Sequence, residues 1–155
     1  MSSFLERLRA RLAHLRTLMR RPVTLGVRAV VIDEQERILL VRHGYVPGWH
    51  FPGGGVEVGE TFLEALAREL DEEARVKLEE PPALHGLFFK AKPSRRDHIA
   101  VYVVRNFTAL GERLPDREIE EVRFFLRAHL PKETTASTRA RLAEIFEGAP
   151  VNPYW

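Results

Sequence analysis

The sequence predicts an α/β domain, a mixed sheet held between helices and preceded by an N-terminal amphipathic helix. Three observations carry this. Runs of β-branched and aliphatic residues at 23–32 and 37–42 flank a short polar turn, as strands do. A helix with a marked start follows the run Gly53-Gly54-Gly55. Apolar runs then return at 84–92 and 98–110, ahead of a closing helical pattern at Leu142, Ile145 and Phe146 that Gly148 ends,.

Taken in order, residues 2–20 place Phe4, Leu5, Leu8, Leu12, Leu15, Leu18 and Met19 on one broad face, with most arginines elsewhere,. Pro22 stops this helix and separates residues 1–21 from a domain spanning 22–155,. Its apolar face calls for a cover, by packing on the domain or by pairing in a homodimer; lying on a membrane surface is the less favoured use. Residues 23–32, the polar turn 33–36 and residues 37–42 read as a hairpin in which Arg28 is the one charge of the first strand,. A loop rich in turn residues, 43–48, leads to Trp49-His50-Phe51-Pro52,. Trp49 and Tyr45 are candidates to stack on a nucleobase, or else to wall the core. Residues 77–82 read as a charged loop closed by Pro81-Pro82, and 84–92 and 98–110 as two strands. The basic residues Lys90, Lys92, Arg95 and Arg96 read as a solvated hairpin tip, with contact to substrate phosphates as the alternative. The closing pair Tyr154-Trp155 reads as packing on the domain, with a cap over a substrate cleft as the alternative.

The stretch from Gly53 to Val76 organises the rest. Three successive glycines cost too much backbone entropy to sit in a helix, so they form a loop. Thr61 with Glu64 makes a capping box, each side chain satisfying an orphan N–H of the first turn,. Leu63, Leu66, Ala67, Leu70 and Ala74 recur at steps of three and four and predict the buried stripe,. Glu69, Glu72 and Glu73 stand at i, i+3 and i+4 on a different side, so their carboxylates share one patch,. Like charges that close repel unless a cation sits among them, and hard oxygen ligands suit Mg²⁺, with Mn²⁺ as the alternative. The backbone N–H groups of Gly53, Gly54 and Gly55, next to a helix start, can meet an anionic phosphate. Together these features describe a site for a metal-bound diphosphate.

Gly54, Glu60, Arg68-Glu69-Leu70, Glu72-Glu73 and Val76 also resemble the Nudix box, G-x5-E-x7-R-E-U-x-E-E-x-G-U with U a bulky aliphatic. All specified positions match except one: Arg75 stands where the box has its second Gly, a residue suited to a left-handed helix end,. The resemblance covers about residues 23–147. It implies the Nudix α/β/α sandwich and Mg²⁺-dependent hydrolysis of a phosphoanhydride in a nucleoside diphosphate linked to another moiety. Alternatives within it are a nucleoside triphosphate pyrophosphohydrolase and a binding or regulatory module that has lost turnover. It also implies Glu69, Glu72 and Glu73 as metal ligands and Glu60 and Arg68 as residues that orient them. The acidic stretch 116–121 resembles a Nudix loop that supplies an added ligand or a general base, which singles out Glu118 and Glu121.

Composition sets limits. The chain has 155 residues, long enough for one domain with a proper core,. It has no cysteine, which excludes a disulfide framework, a thiolate metal site and a cysteine nucleophile,. The six histidines show no zinc-ligand spacing,. Of the net charge of +2, residues 1–21 carry +5, which leaves −3 for the domain. The basic character is thus local, and a nucleic-acid partner is not expected. With no signal peptide and no apolar run long enough to span a membrane, a cytoplasmic protein is expected.

Overall fold

A computed structural model of the chain describes residues 22–155. The expected N-terminal helix lies outside the described residues. Eight strands, two helices and a 3₁₀ turn follow in order: β1 (Thr24–Val31), β2 (Arg37–His43), β3 (Trp49–His50), α1 (Phe62–Ala74), β4 (Val76–Leu78), β5 (Ala83–Lys90), β6 (Asp97–Val104), β7 (Phe107–Ala109), β8 (Ile119–Leu126), the turn Arg127–His129 and α2 (Ala136–Glu147). Among the described residues no helix is long and apolar enough to cross a membrane.

The main sheet is mixed. β1 runs parallel to β6, and β5 runs antiparallel to β6 on its other side. The free edge of β1 is taken by the glycine loop, with Val27 N–H donating to the Gly54 carbonyl, Ala29 N–H to the Pro52 carbonyl, and Val56 N–H to the Leu25 carbonyl. β1 is therefore central, and the pleat sends alternate residues to opposite faces. Val27, Ala29 and Val31 pack with Leu66 and Leu70 of α1. Val30 and Ile32 pack with Phe51, Phe88 and Leu142 of α2. Both faces of the sheet are covered by helix, as the α/β expectation required.

β1 and β2 do not form the expected hairpin. The turn is there, with Asp33 accepting from the Arg37 N–H at 2.8 Å and Glu36 at φ 56°. Past a single bridge between Ile32 and Ile38 the strands part, and β2 pairs with β3 and β8 instead. Each strand carries apolar residues on both faces, and pairing only with each other would leave much of that surface to water. The run 98–110 likewise divides after Val104, and β7 turns away to pair with β4 where a charged loop was expected.

In α1 the capping box forms, with Glu64 N–H donating to Thr61 Oγ1 and Thr61 N–H to Glu64. The buried stripe is displaced from the expected one. Ala65, Leu66, Leu70, Glu73 and Ala74 are buried, while Leu63 is 41% exposed and Ala67 is exposed. The acidic patch therefore borders the buried face of the helix. Arg75 ends the helix in the left-handed region itself, at φ 53° and ψ 45°.

Candidate active site

Where the glycine loop, α1, the middle of β1 and the ends of β2 and β5 meet, they border a cavity of about 870 Å³. Gly53, Gly54 and Gly55 form one wall, and Glu69, Glu73 and Glu118 bring carboxylates to it. Arg28, Lys90 and Lys92 bring positive charge.

Two of the glycines are there because nothing else fits. A Cβ on Gly53, which has φ 136°, would run into the Val27 carbonyl, and a Cβ on Gly54 would occupy the space of the Glu69 carboxylate. The loop is thus pressed between β1 and the acidic face of α1. The Gly53 N–H donates to Glu73 Oε2 at 2.7 Å. That donor, expected to meet substrate phosphate, orients a carboxylate instead.

Arg68 is the organiser of the acidic face. Its guanidinium forks onto both Glu60 oxygens at 2.9 and 3.0 Å, donates to Glu69 Oε1 at 2.7 Å and reaches the Gly55 carbonyl at 3.0 Å. Bidentate geometry of this kind fixes direction as well as charge. The hydrogen bonds from Arg68 hold the Glu60 carboxyl below its ordinary range. Burial, only partly offset by Arg68, pushes Glu69 up. Glu72 is different: its side chain is 61% exposed and lies 3.4 Å from Arg68.

Glu73 is the anomaly. It is only 5% exposed, and burial raises its carboxyl to about 7 against the weaker pull of the Gly53 N–H and Arg28. His43 Nε2 lies 3.7 Å from Glu73 Oε1, the spacing of an ion pair. Burial nevertheless lowers the imidazole to about 4, with His50 and Arg28 adding to the shift. Desolvation is the largest influence on both groups, and it disfavours the charged form of each,. Arg28 is half-buried and forms no ion pair among the described residues; its Nη1 donates to the Val27 carbonyl at 2.8 Å. Burial lowers its pKa against the opposing fields of Glu73 and Glu69.

These residues can hold a cation. Among the described residues no three His, Cys, Asp or Glu side chains converge on one point, so an all-protein cage is absent there. Mg²⁺ does not ask for one: it keeps several waters and takes one or two carboxylates beside substrate phosphates. The donor set at Glu69 and Glu73 is hard oxygen and desolvated, which fits such an ion.

Glu118, one of two candidates from the acidic loop, lines the cavity. Glu121 does not. It sits opposite Arg42 in the β2–β8 ladder and accepts from it at 3.2 Å. Lys90 and Lys92 reach the cavity, which favours the alternative put forward for the basic run, while Arg95 and Arg96 are not part of its wall. Trp49 is 6% exposed and packs edge-on against Phe125 at 4.8 Å, so it walls the core; Tyr45 faces the cavity. Sequence reasoning did not assign Arg28 or His43 to the site. The signal for Arg28 was there, a lone charge in an otherwise apolar strand. His43 carries none until β2 is seen to end beside Glu73.

A family model for the NUDIX domain matches residues 22–145. The chain is 34% identical to the m7GpppN-mRNA hydrolase NUDT17 of Xenopus laevis over 110 residues, 63% of this chain and 37% of that protein. It is 49% identical to the RNA pyrophosphohydrolase of Halorhodospira halophila over 48 residues, 31% of this chain and 26% of that protein. These matches thus span well under half the length of either curated relative. The crystal structure of a MutT NUDIX hydrolase from Burkholderia pseudomallei is similar with a TM-score of 0.69 and 26% identity, covering 79% of this chain and 97% of that one.

Proposed function

The chain belongs to the NUDIX domain family, and from that premise we propose that it is a pyrophosphohydrolase acting on a nucleoside diphosphate linked to another moiety, with residues 22–155 as the hydrolase domain. One observation carries the reading: the desolvated carboxylates of Glu69 and Glu73 share a single cavity with three cationic side chains, Arg28, Lys90 and Lys92. Such a pairing suits a ligand that is both metal-bound and polyanionic. The hydrolase and pyrophosphohydrolase named among the relatives support the same reaction class.

Glu69 and Glu73 would hold the divalent ion, with Glu72 joining them by turning from Arg68. A bound Mg²⁺, or Mn²⁺ in its place, supplies neutralisation of the diphosphate and a more acidic water. The chain's own residues do the rest. Glu60 and Arg68 are positioning residues that keep Glu69 aimed at the glycine loop. Arg28, Lys90 and Lys92 bind phosphate oxygens and stabilise charge as it develops. Glu118 takes the proton of the attacking water. The new P–O bond forms as the bond to the bridging oxygen breaks, and that oxygen leaves with the second product. Glu121 stays in its ion pair with Arg42.

A nucleoside triphosphate is the rival substrate, favoured by the three cations, which could meet a third phosphate. Both are tested with one panel of ADP-ribose, a nucleotide sugar and a nucleoside triphosphate, assayed for nucleotide and phosphate release with Mg²⁺ and with EDTA. Metal-dependent release of a nucleoside monophosphate from the linked diphosphates ahead of the triphosphate is expected. No release from any of them would overturn the proposal.

A further inference from the structure

Residues 152–155 are tied to β5 and α2 at several points. They add a short parallel strand to the β5 edge, with the Phe89 N–H donating to the Pro153 carbonyl at 2.8 Å and the Trp155 N–H to the Phe89 carbonyl at 3.0 Å. Beneath them Arg141, 1% exposed, donates to the Tyr154 carbonyl at 3.0 Å and to Glu144 at 2.5 Å. Glu144 also accepts from the Asn152 N–H at 3.0 Å and contacts His85 Nε2 at 2.8 Å. The Arg141 guanidinium lies 3.9 Å from the centre of the Phe88 ring.

A buried ion pair adds little net stability, because desolvation offsets most of the attraction. What this one does provide is direction, since both partners bond to the backbone of residues 152–154. The residue thereby fixed is Trp155. Its ring is half-buried, packed edge-on against Phe88 at 6.2 Å, and it lines the same cavity as the carboxylates. The backbone bond to Phe89 puts it beside the stretch from which Lys90 and Lys92 reach the cavity. Arg28, on β1, lies across β6 and β5 from the tail and three residues further along the sheet. Acidic and aromatic walls thus stand at opposite ends, with the cations between and beside them.

We propose that Trp155 is a specificity-determining residue, the platform on which the substrate's nucleobase stacks while the phosphates lie toward Glu69 and Glu73. The inference rests on the nucleotide substrate proposed above. Arg141 and Glu144 are its positioning residues. Stacking tolerates any base, because every base has a π-face, so the platform selects for a nucleotide over a bare phosphate ester rather than for one base.

Binding can be read without turnover. The chain has two tryptophans, and Trp49→Phe leaves Trp155 as the single emitter. In EDTA, AMP and GMP are expected to quench its fluorescence saturably, while ribose 5-phosphate over the same range does not. If Trp49→Phe does not fold, the same difference is read between the unaltered protein and Trp155→Phe. On whichever substrate the panel identifies, Trp155→Ala is expected to raise KM about tenfold with kcat within about twofold, and Trp155→Phe to recover most of the loss. A merely structural role would not produce quenching that depends on the base. Equal quenching by ribose 5-phosphate, or an unchanged KM in Trp155→Ala, overturns the platform and leaves the hydrolase reading standing. Base-dependent quenching in a protein that hydrolyses nothing does the reverse.

Discussion

Glu73 and Glu144 are the same residue type in nearly the same degree of burial, 5% and 9% exposed, and their carboxyls move in opposite directions. For Glu144 burial pushes upward, but the Asn152 N–H, His85 and Arg141 together outweigh it, and the carboxyl lies below its usual range. For Glu73 burial wins, and the carboxyl rises to about 7. Burial pushes both upward; Glu144 has three partners that oppose it, while Glu73 has only the Gly53 N–H and Arg28. Glu144 has every need met by its own chain and acts as a fastener. Glu73 is left short, and a protein tolerates such a shortage where something from outside completes it.

The sharpest way to break this comparison is to remove each charge at constant shape. Glu73→Gln is expected to lower kcat by about 10²–10³, because an amide is a poor ligand for a hard cation. Its fold should survive. Activity within threefold of the unaltered enzyme would remove Glu73 from the site. Glu72→Gln should also cost rate, less severely since its side chain is mostly exposed.

Glu144→Gln reverses the pattern. Removing one partner of a buried ion pair typically costs about 3–5 kcal/mol, since Arg141 is left uncompensated. Chemical denaturation at pH 7 should show that loss, against little or none for Glu73→Gln. Equal stability losses in the two variants would dissolve the distinction drawn here.

The pH dependence gives a finer cut. The Glu73 value rises from 4.5 to about 7, so its contribution is present below about 4.5 and is lost as pH rises through 7,. His43 falls from 6.5 to about 4, so its contribution is present above 6.5 and is lost as pH falls through 4,. Between about 4.5 and 6.5 the two oppose each other, with the raised Glu69 on the side of the first and the lowered His50 on the side of the second. The Tm of the cation-free protein should therefore vary less with pH there than that of Glu73→Gln. Glu73→Gln strips one limb, so its Tm should rise with pH up to about 6.5 and then level. Added Mg²⁺ should raise the Tm of the unaltered protein at pH 8 and leave Glu73→Gln unmoved. A variant profile that parallels the unaltered one would show that Glu73 does not titrate in this range.

How much of this was legible beforehand follows the reach of each signal. The capping box, the glycine loop and the box acids are local patterns, and they appear where the spacing put them. The link from Arg68 to Glu60 and Glu69 was also readable, since two helical turns and a loop hold those residues together. Strand partners were not. Residues 24–43 look like a hairpin because the turn chemistry at Asp33 is real, but whether strands stay paired past a turn is set by the remote surfaces that cover them. The stripe of α1 was misplaced for a related reason: Ala65 and Glu73 are buried by what packs on them, not by their polarity. Arg28, His43 and Trp155 join the site only through β1, β2 and the β5 edge, contacts separated by many residues in sequence.

The comparison reaches its exposed limit at Arg75, where the expected effect is smallest. Here too a carboxylate has a cation, Asp71 Oδ1 at 2.6 Å from Arg75 Nη1, but the two side chains are 51% and 44% exposed. Water already meets most of their needs, and such pairs contribute about 0–1 kcal/mol. Against that stands the left-handed backbone of Arg75, at φ 53°, which costs a non-glycine residue about 1–2 kcal/mol. Arg75→Gly relieves the strain, loses the pair and adds freedom to the unfolded chain. The balance should be a gain of a few tenths to about 1 kcal/mol in urea unfolding, with kcat and KM unchanged, because Arg75 touches nothing in the cavity wall. A clear loss of stability would mean that the Asp71 pair is worth more than its exposure allows. The supply of donors would then matter at the surface as it does in the interior.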